Sequence, residues 1–234
     1  MDPVVALLPS VFLGPAVWEP VADRLREHGV RTALPSPPPI GTSTPLEVLG
    51  WLAAALPSDS ELVLVPHSNA GLYVPQLATQ HRVTGYVFVD AILPPSTGGQ
   101  FPVAPPALAE MLRETVDPDG LLPPWTGWWS APDLDGLFPD EDTRRRVETG
   151  QPRLPYDYLL APVDIPAGWD TDPGRYVAFG DAYADEAADA AARGWPVSRL
   201  PGRHLHMLHD PDTVAREILT ALGRAPATPA PTAT

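Results

Sequence analysis

The chain contains no cysteine, no lysine and no long apolar run. Without cysteine there is no disulfide framework, no thiolate metal centre and no cysteine nucleophile. The usual mark of an oxidising compartment is missing too, so a cytoplasmic location is expected. Without lysine a Schiff-base mechanism is excluded, and all 15 basic residues are arginines. No apolar stretch approaches the roughly 20 residues that span a bilayer. The first fifteen residues are apolar, but they lack a basic start and a small-residue cleavage site. Pro3 and Pro9 interrupt them, and they read as a first strand instead of an export signal. Acidic groups number 29, which leaves a net charge of −14. A chain so acidic, with no basic cluster, is a poor match for a phosphate backbone. Nucleic acid and membranes are therefore not expected as partners, and a small-molecule substrate is.

A length of 234 residues suits one large α/β domain or two small ones. Short apolar runs at residues 4–8, 30–34, 61–65 and 85–89 read as strands. Between them, residues 20–28, 46–56 and 70–80 carry helical spacing, with Pro75 required to sit in the first turns of the last. This alternation predicts an α/β fold, a mostly parallel sheet with helices on both faces. The alternation then lapses. Residues of about 94–169 are rich in proline and tryptophan, with sustained periodicity only over 107–115, and a segment of that length reads as a functional insertion, here a cap. Strands at 176–179 and 197–200 and helices at 184–193 and 212–222 resume the pattern. A single domain is expected over 1–224, followed by a low-complexity, disordered tail at 225–234.

The strand at 61–65 runs into Pro66-His67-Ser68-Asn69-Ala70-Gly71 and then a helix. That is the setting in which a G-x-S-x-G turn presents a nucleophile at the carboxyl edge of a sheet. Pro66 and Ala70 stand where the two glycines would be; alanine is an easy replacement, and proline is tolerable at the last strand position. Two readings of Ser68 are open, a nucleophile or the N-cap of the following helix. His67 beside it is more simply packing or support than chemistry. Three further histidines, His204, His206 and His209, lie between the last strand and the last helix. They lack the carboxylates or cysteines of a zinc set, so no metal and no cofactor are expected.

With these residues in that order, the chain resembles the α/β-hydrolase superfamily, and most closely its compact branch of plant methylesterases and hydroxynitrile lyases. In that branch the catalytic histidine follows the last strand, and a proline seven residues on opens the last helix. His204 and Pro211 match that spacing; His206 and His209 do not. The resemblance implies a Ser68 nucleophile, a His204 base and an oxyanion hole from the backbone N–H groups of Val11 and Asn69. Pro9-Ser10 replaces the His-Gly usual before Val11, with Trp18 further on. Ser10 is either a hydroxyl donor there or a turn cap. The acid is open between Asp90, at the end of strand 85–89, and the loop after strand 176–179, where Asp181 is the alternative and Asp185 is also available; Asp90 is preferred over capping a loop. Trp125, Trp128 and Trp129 either line a substrate pocket or form the core of the cap. The resemblance implies a serine hydrolase of a small ester, lactone or thioester with a catalytic triad. Two alternatives stand beside it: a non-hydrolytic lyase, dehydratase or cyclase, and a ligand-binding relative with little turnover.

Overall fold

The computed structural model describes residues 2–36, 38 and 41–224. The expected tail at 225–234 lies outside the described residues. The elements run β1 Val4–Leu8, α1 Glu19–Glu27, β2 Thr32–Ala33, α2 Pro45–Ala54, β3 Leu62–Ser68, α3 Val74–Gln80 and β4 Val83–Ala91. Next come β5 Gly99–Pro102, α4 Pro106–Leu112, α5 Ala131–Leu134, α6 Glu141–Thr149, α7 Tyr156–Leu160 and β6 Pro162–Ile165. The chain closes with β7 Gly174–Phe179, α8 Ala184–Ala192, β8 Val197–Leu200 and α9 Pro211–Ala221.

Six strands form one sheet in the order β2-β1-β3-β4-β7-β8, and every neighbouring pair is parallel. All of β1 and β3 is buried, as expected of central strands covered on both sides. From β1 the chain steps one way to β2, and from β3 onward it steps the other way. Right-handed crossovers in opposite directions put their helices on opposite faces. Accordingly α1 packs with α9, and α2 with α3. The reversal between β1 and β3 opens a crevice at their carboxyl ends, where open α/β sheets bind ligands.

Local chemistry explains the elements. Thr44 and Glu47 form a reciprocal capping box at the start of α2, and Pro45 occupies its first turn. Residues 70–80 do not form one helix: a 3₁₀ turn, Asn69–Tyr73, comes first, and Pro75 falls in the first turn of α3. Strand β2 is shorter than expected at two residues, whereas β3 and β4 extend further and carry Ser68 and Asp90 among their final residues. Between β4 and β7 lie four short helices and the antiparallel pair β5–β6. This segment is tied down by the Arg193–Asp170 ion pair at 3.0 Å and by the Tyr73–Tyr158 hydroxyl pair at 2.6 Å. Arg203 bonds the Asp133 and Asp135 carbonyls as well. Among the described residues, no helix is long and apolar enough to cross a membrane.

Candidate active site

Two non-glycine residues among those described have positive φ, Ser68 at 57° and Asp90 at 43°. Ser68 ends β3, Asp90 is the last residue but one of β4, and the two strands are neighbours. Such conformations cost about 1–3 kcal/mol and persist only where the surroundings impose them. Here the surroundings are close. The Ile92 N–H donates to the Ser68 carbonyl at 3.1 Å, and a Cβ on Gly71 would sit 1.9 Å from the Ile92 oxygen. The missing side chain at Gly71 lets the turn after Ser68 press against the chain leaving β4. With Asn69 opening a 3₁₀ turn, Ser68 does not cap it: no side-chain cap hydrogen bond is made.

Asp90 is fully buried and doubly bonded. Its Oδ2 lies 2.7 Å from His204 Nδ1, and its Oδ1 accepts the Phe179 N–H at 2.9 Å. The carboxylate therefore fixes the imidazole with Nδ1 as donor, which leaves Nε2 free to accept a proton. Asp181, in the loop after β7, is exposed on the rim of the cavity and does not bond His204. Asp185 is exposed in the first turn of α8.

His204 is flanked on three sides by rings. His67 stacks on it at 4.5 Å, Tyr183 at 5.6 Å, and Trp125 tilts against it at 5.9 Å. His67 also donates its Nε2–H to the His204 carbonyl at 2.9 Å, while its Nδ1 is buried with no partner. Burial, reinforced by His204, holds His67 well below the ordinary histidine range. It is a neutral strut. His206 edges onto Phe179, and His209 donates to the Leu137 carbonyl, so both turn to structural tasks.

Ser68 and His204 face one cavity of about 560 Å³, together with Asn69, Phe12 and the three tryptophans Trp125, Trp128 and Trp129. They are not hydrogen-bonded to each other in this structure; Ser68 Oγ instead meets the Tyr183 hydroxyl at 3.4 Å. Trp125 and Trp128 are buried and packed while also lining the cavity. On the β1 side the Ser10 hydroxyl donates to the Asn69 side-chain oxygen at 2.7 Å and accepts the Phe12 N–H at 3.3 Å. Ser10 thus ties the turn carrying Val11 to the residue after Ser68. Val11 itself buries its side chain in the core, and its neighbour Phe12 reaches the cavity. Among the described residues no group of three or more His, Asp or Glu side chains is arranged to hold a metal.

His67 is the support expected of it, whereas Tyr183 is a residue that the sequence does not single out. Tyr183 lies two positions past Asp181, in the loop after β7. Nothing in its spacing marks the hydroxyl as bound for Ser68.

No protein-family profile matches the chain, and no curated protein sequence matches it. Solved structures do. An extracellular α/β-hydrolase from a Paenibacillus species, described as sharing structural and functional homology with a tobacco salicylic acid binding protein, superposes with a TM-score of 0.72. It is 16% identical and covers 93% of this chain and 98% of its own. Polyneuridine aldehyde esterase gives 0.70 at 14% identity, over 94% and 99%. A tomato methylketone synthase I variant complexed with beta-ketoheptanoate gives 0.68 at 15%, over 94% and 97%. The fold is that of the α/β-hydrolases.

Proposed function

We propose that this chain, an α/β-hydrolase by fold, is a serine hydrolase that cleaves a small ester, lactone or thioester through an acyl-enzyme. One observation carries the reading. A serine in a strained turn shares a cavity with a histidine whose far nitrogen is bonded to a buried carboxylate. Those are the parts of a nucleophile–base–acid triad.

In this reading Ser68 Oγ exchanges its Tyr183 contact for His204 Nε2 when substrate enters; catalytic hydrogen bonds commonly tighten only in the substrate complex. His204 takes the serine proton, and Oγ attacks the carbonyl carbon. The Val11 and Asn69 N–H groups receive the oxyanion, each donor contributing roughly 3–4 kcal/mol in comparable sites. His204 then gives its proton to the leaving group, and water, deprotonated by the same histidine, releases the acid. Asp90 holds the tautomer and balances the imidazolium.

The cavity selects against negative charge. Its walls are aromatic and aliphatic, and the carboxylates Asp133, Asp181 and Glu186 stand around it with Arg203. Burial raises the Glu186 carboxyl from its ordinary value, with Asp185 and Asp90 adding to it. The Arg203 guanidinium is engaged by two backbone carbonyls. An uncharged acyl group with an aromatic or alkyl body fits such a site.

The test is covalent labelling. A fluorophosphonate probe labels the wild type and fails on Ser68→Ala. No labelling of either protein would favour a ligand-binding role instead. The missing Ser68–His204 hydrogen bond favours a second reading, non-hydrolytic lyase, dehydratase or cyclase chemistry, whose outcome is labelling with no ester turnover.

A further inference from the structure

Among the described residues, the one side chain hydrogen-bonded to Ser68 Oγ is Tyr183, at 3.4 Å. Its ring lies on His204 with 28° between the planes, so the stacking of the two rings aims the hydroxyl. Burial pushes the phenol far above its ordinary value, the Ser68 contact opposes this, and Asp90 and Glu186 add to the rise. The group is therefore a neutral O–H donor throughout the working range.

Strand order fixes the side from which it arrives. Val11 follows β1, on one flank of β3, whereas Tyr183 follows β7 and His204 follows β8, on the other. A carbonyl attacked by Ser68 with its oxygen toward Val11 and Asn69 turns its leaving group toward Tyr183 and His204. We propose that Tyr183 is a catalytic hydrogen-bond donor whose hydroxyl, released from Ser68 Oγ when substrate enters, donates to the leaving-group oxygen as the tetrahedral adduct collapses. The proposal rests on the serine-hydrolase reading above. In the step, the bond from the carbonyl carbon to the leaving oxygen breaks and its electron pair stays on that oxygen. His204 delivers the proton it took from Ser68; Tyr183 donates a hydrogen bond and keeps its own proton.

Such help matters for a basic alkoxide and hardly at all for a stable phenoxide. Two esters with one acyl group, ethyl butyrate and p-nitrophenyl butyrate, separate the cases. Tyr183→Phe keeps the ring on His204 and removes only the hydroxyl. Its kcat/KM should fall about tenfold or more for the ethyl ester and stay within about threefold of wild type for the p-nitrophenyl ester, the scale of one transition-state hydrogen bond. Retained p-nitrophenyl turnover also shows that the variant is folded. Equal falls for both esters would overturn the proposal, because a merely structural tyrosine does not sense the leaving group. No change for either, or a wild type that takes up the fluorophosphonate at Ser68 yet cleaves neither ester, would overturn it as well. Failure of the wild type to label strikes the serine-hydrolase reading itself, and the proposal with it.

Discussion

The His67 Nε2–H donates to the backbone carbonyl of His204 across 2.9 Å, so the residue before the candidate nucleophile holds the loop of the candidate base. A carbonyl can only accept, which fixes His67 in the Nε2–H form and leaves Nδ1 buried without a partner. Burial holds the folded His67 well below 6.5, whereas the unfolded chain takes up a proton as pH falls past about 6.5. Below that point the unfolded state binds more protons than the folded one, so stability is fully present above about 6.5 and declines as pH drops toward the folded value. One such group contributes a slope of at most about 1.4 kcal/mol per pH unit. His81 and His206, also lowered chiefly by burial, act with the same sign. Urea unfolding of wild type and His67→Phe at pH 7.5 and 5.5 should show a flatter pH response in the variant. An orphaned His204 carbonyl should cost that variant about 1–3 kcal/mol at the higher pH. Parallel pH responses in the two proteins would refute this account of the strut.

The choice between Asp90 and Asp181 is decided by two amide substitutions. In Asp90→Asn an amide NH₂ can face His204 Nδ1, which drives the proton to Nε2 and removes the acceptor Ser68 needs. A loss on the order of 10³–10⁴ in kcat is expected from the wrong tautomer alone. Asp181 is exposed and makes no bond to the imidazole, so Asp181→Asn should stay within about twofold, as surface changes generally do. Ester hydrolysis at pH 7.5 reads both. A collapse in the Asp181 variant with little effect at Asp90 would reverse the assignment.

Strand periodicity made the sheet legible because buried parallel strands are short, continuous apolar runs, such as Val4–Leu8. The carboxyl-edge positions of Ser68 and Asp90 followed from where those runs stop. The 3₁₀ turn at Asn69–Tyr73 was not legible: apolar spacing cannot separate a tight turn leading into a helix from the helix itself. The surroundings of Ser68 were only half visible. Ser10–Asn69, His67–His204 and Tyr183–Ser68 join residues 59, 137 and 115 positions apart, and no local pattern encodes such pairs. The insertion between β4 and β7 gave less away: α4 was legible, whereas the amphipathic α6, Glu141–Thr149, was not.

Charge around the cavity gives a prediction about substrates. Three carboxylates and one arginine with engaged donors disfavour an anionic acyl group. At an effective dielectric near 20, one unit charge at 4 Å is worth about 4 kcal/mol before screening, so even a partly screened mismatch should exceed tenfold. Methyl phenylacetate should therefore be cleaved with kcat/KM at least about tenfold above that of the monomethyl ester of phenylmalonic acid, and the gap should narrow at high salt. Equal rates for the two would show that the carboxylates do not face bound substrate.

Gly71 and Gly50 offer a matched pair, because the same change should act in opposite directions. A Cβ at Gly71 would meet the Ile92 carbonyl oxygen at 1.9 Å, a backbone atom with no rotamer by which to yield. Either the turn after Ser68 or the end of β4 must move, and those two segments set the positions of Ser68 and Asp90. Gly71→Ala should lose about 2–4 kcal/mol, the upper range for overpacking a dense interior, and should lose fluorophosphonate labelling even where it remains folded. Gly50 lies exposed inside α2 with nothing within 4 Å of the added atom. There alanine relieves the entropy that glycine costs a helix, so Gly50→Ala should gain about 0.5–1 kcal/mol with labelling unchanged. Denaturant melts alongside labelling rates separate the two effects. A Gly71→Ala protein with wild-type stability and labelling would mean that the Ser68 turn is not held against β4 as the structure has it.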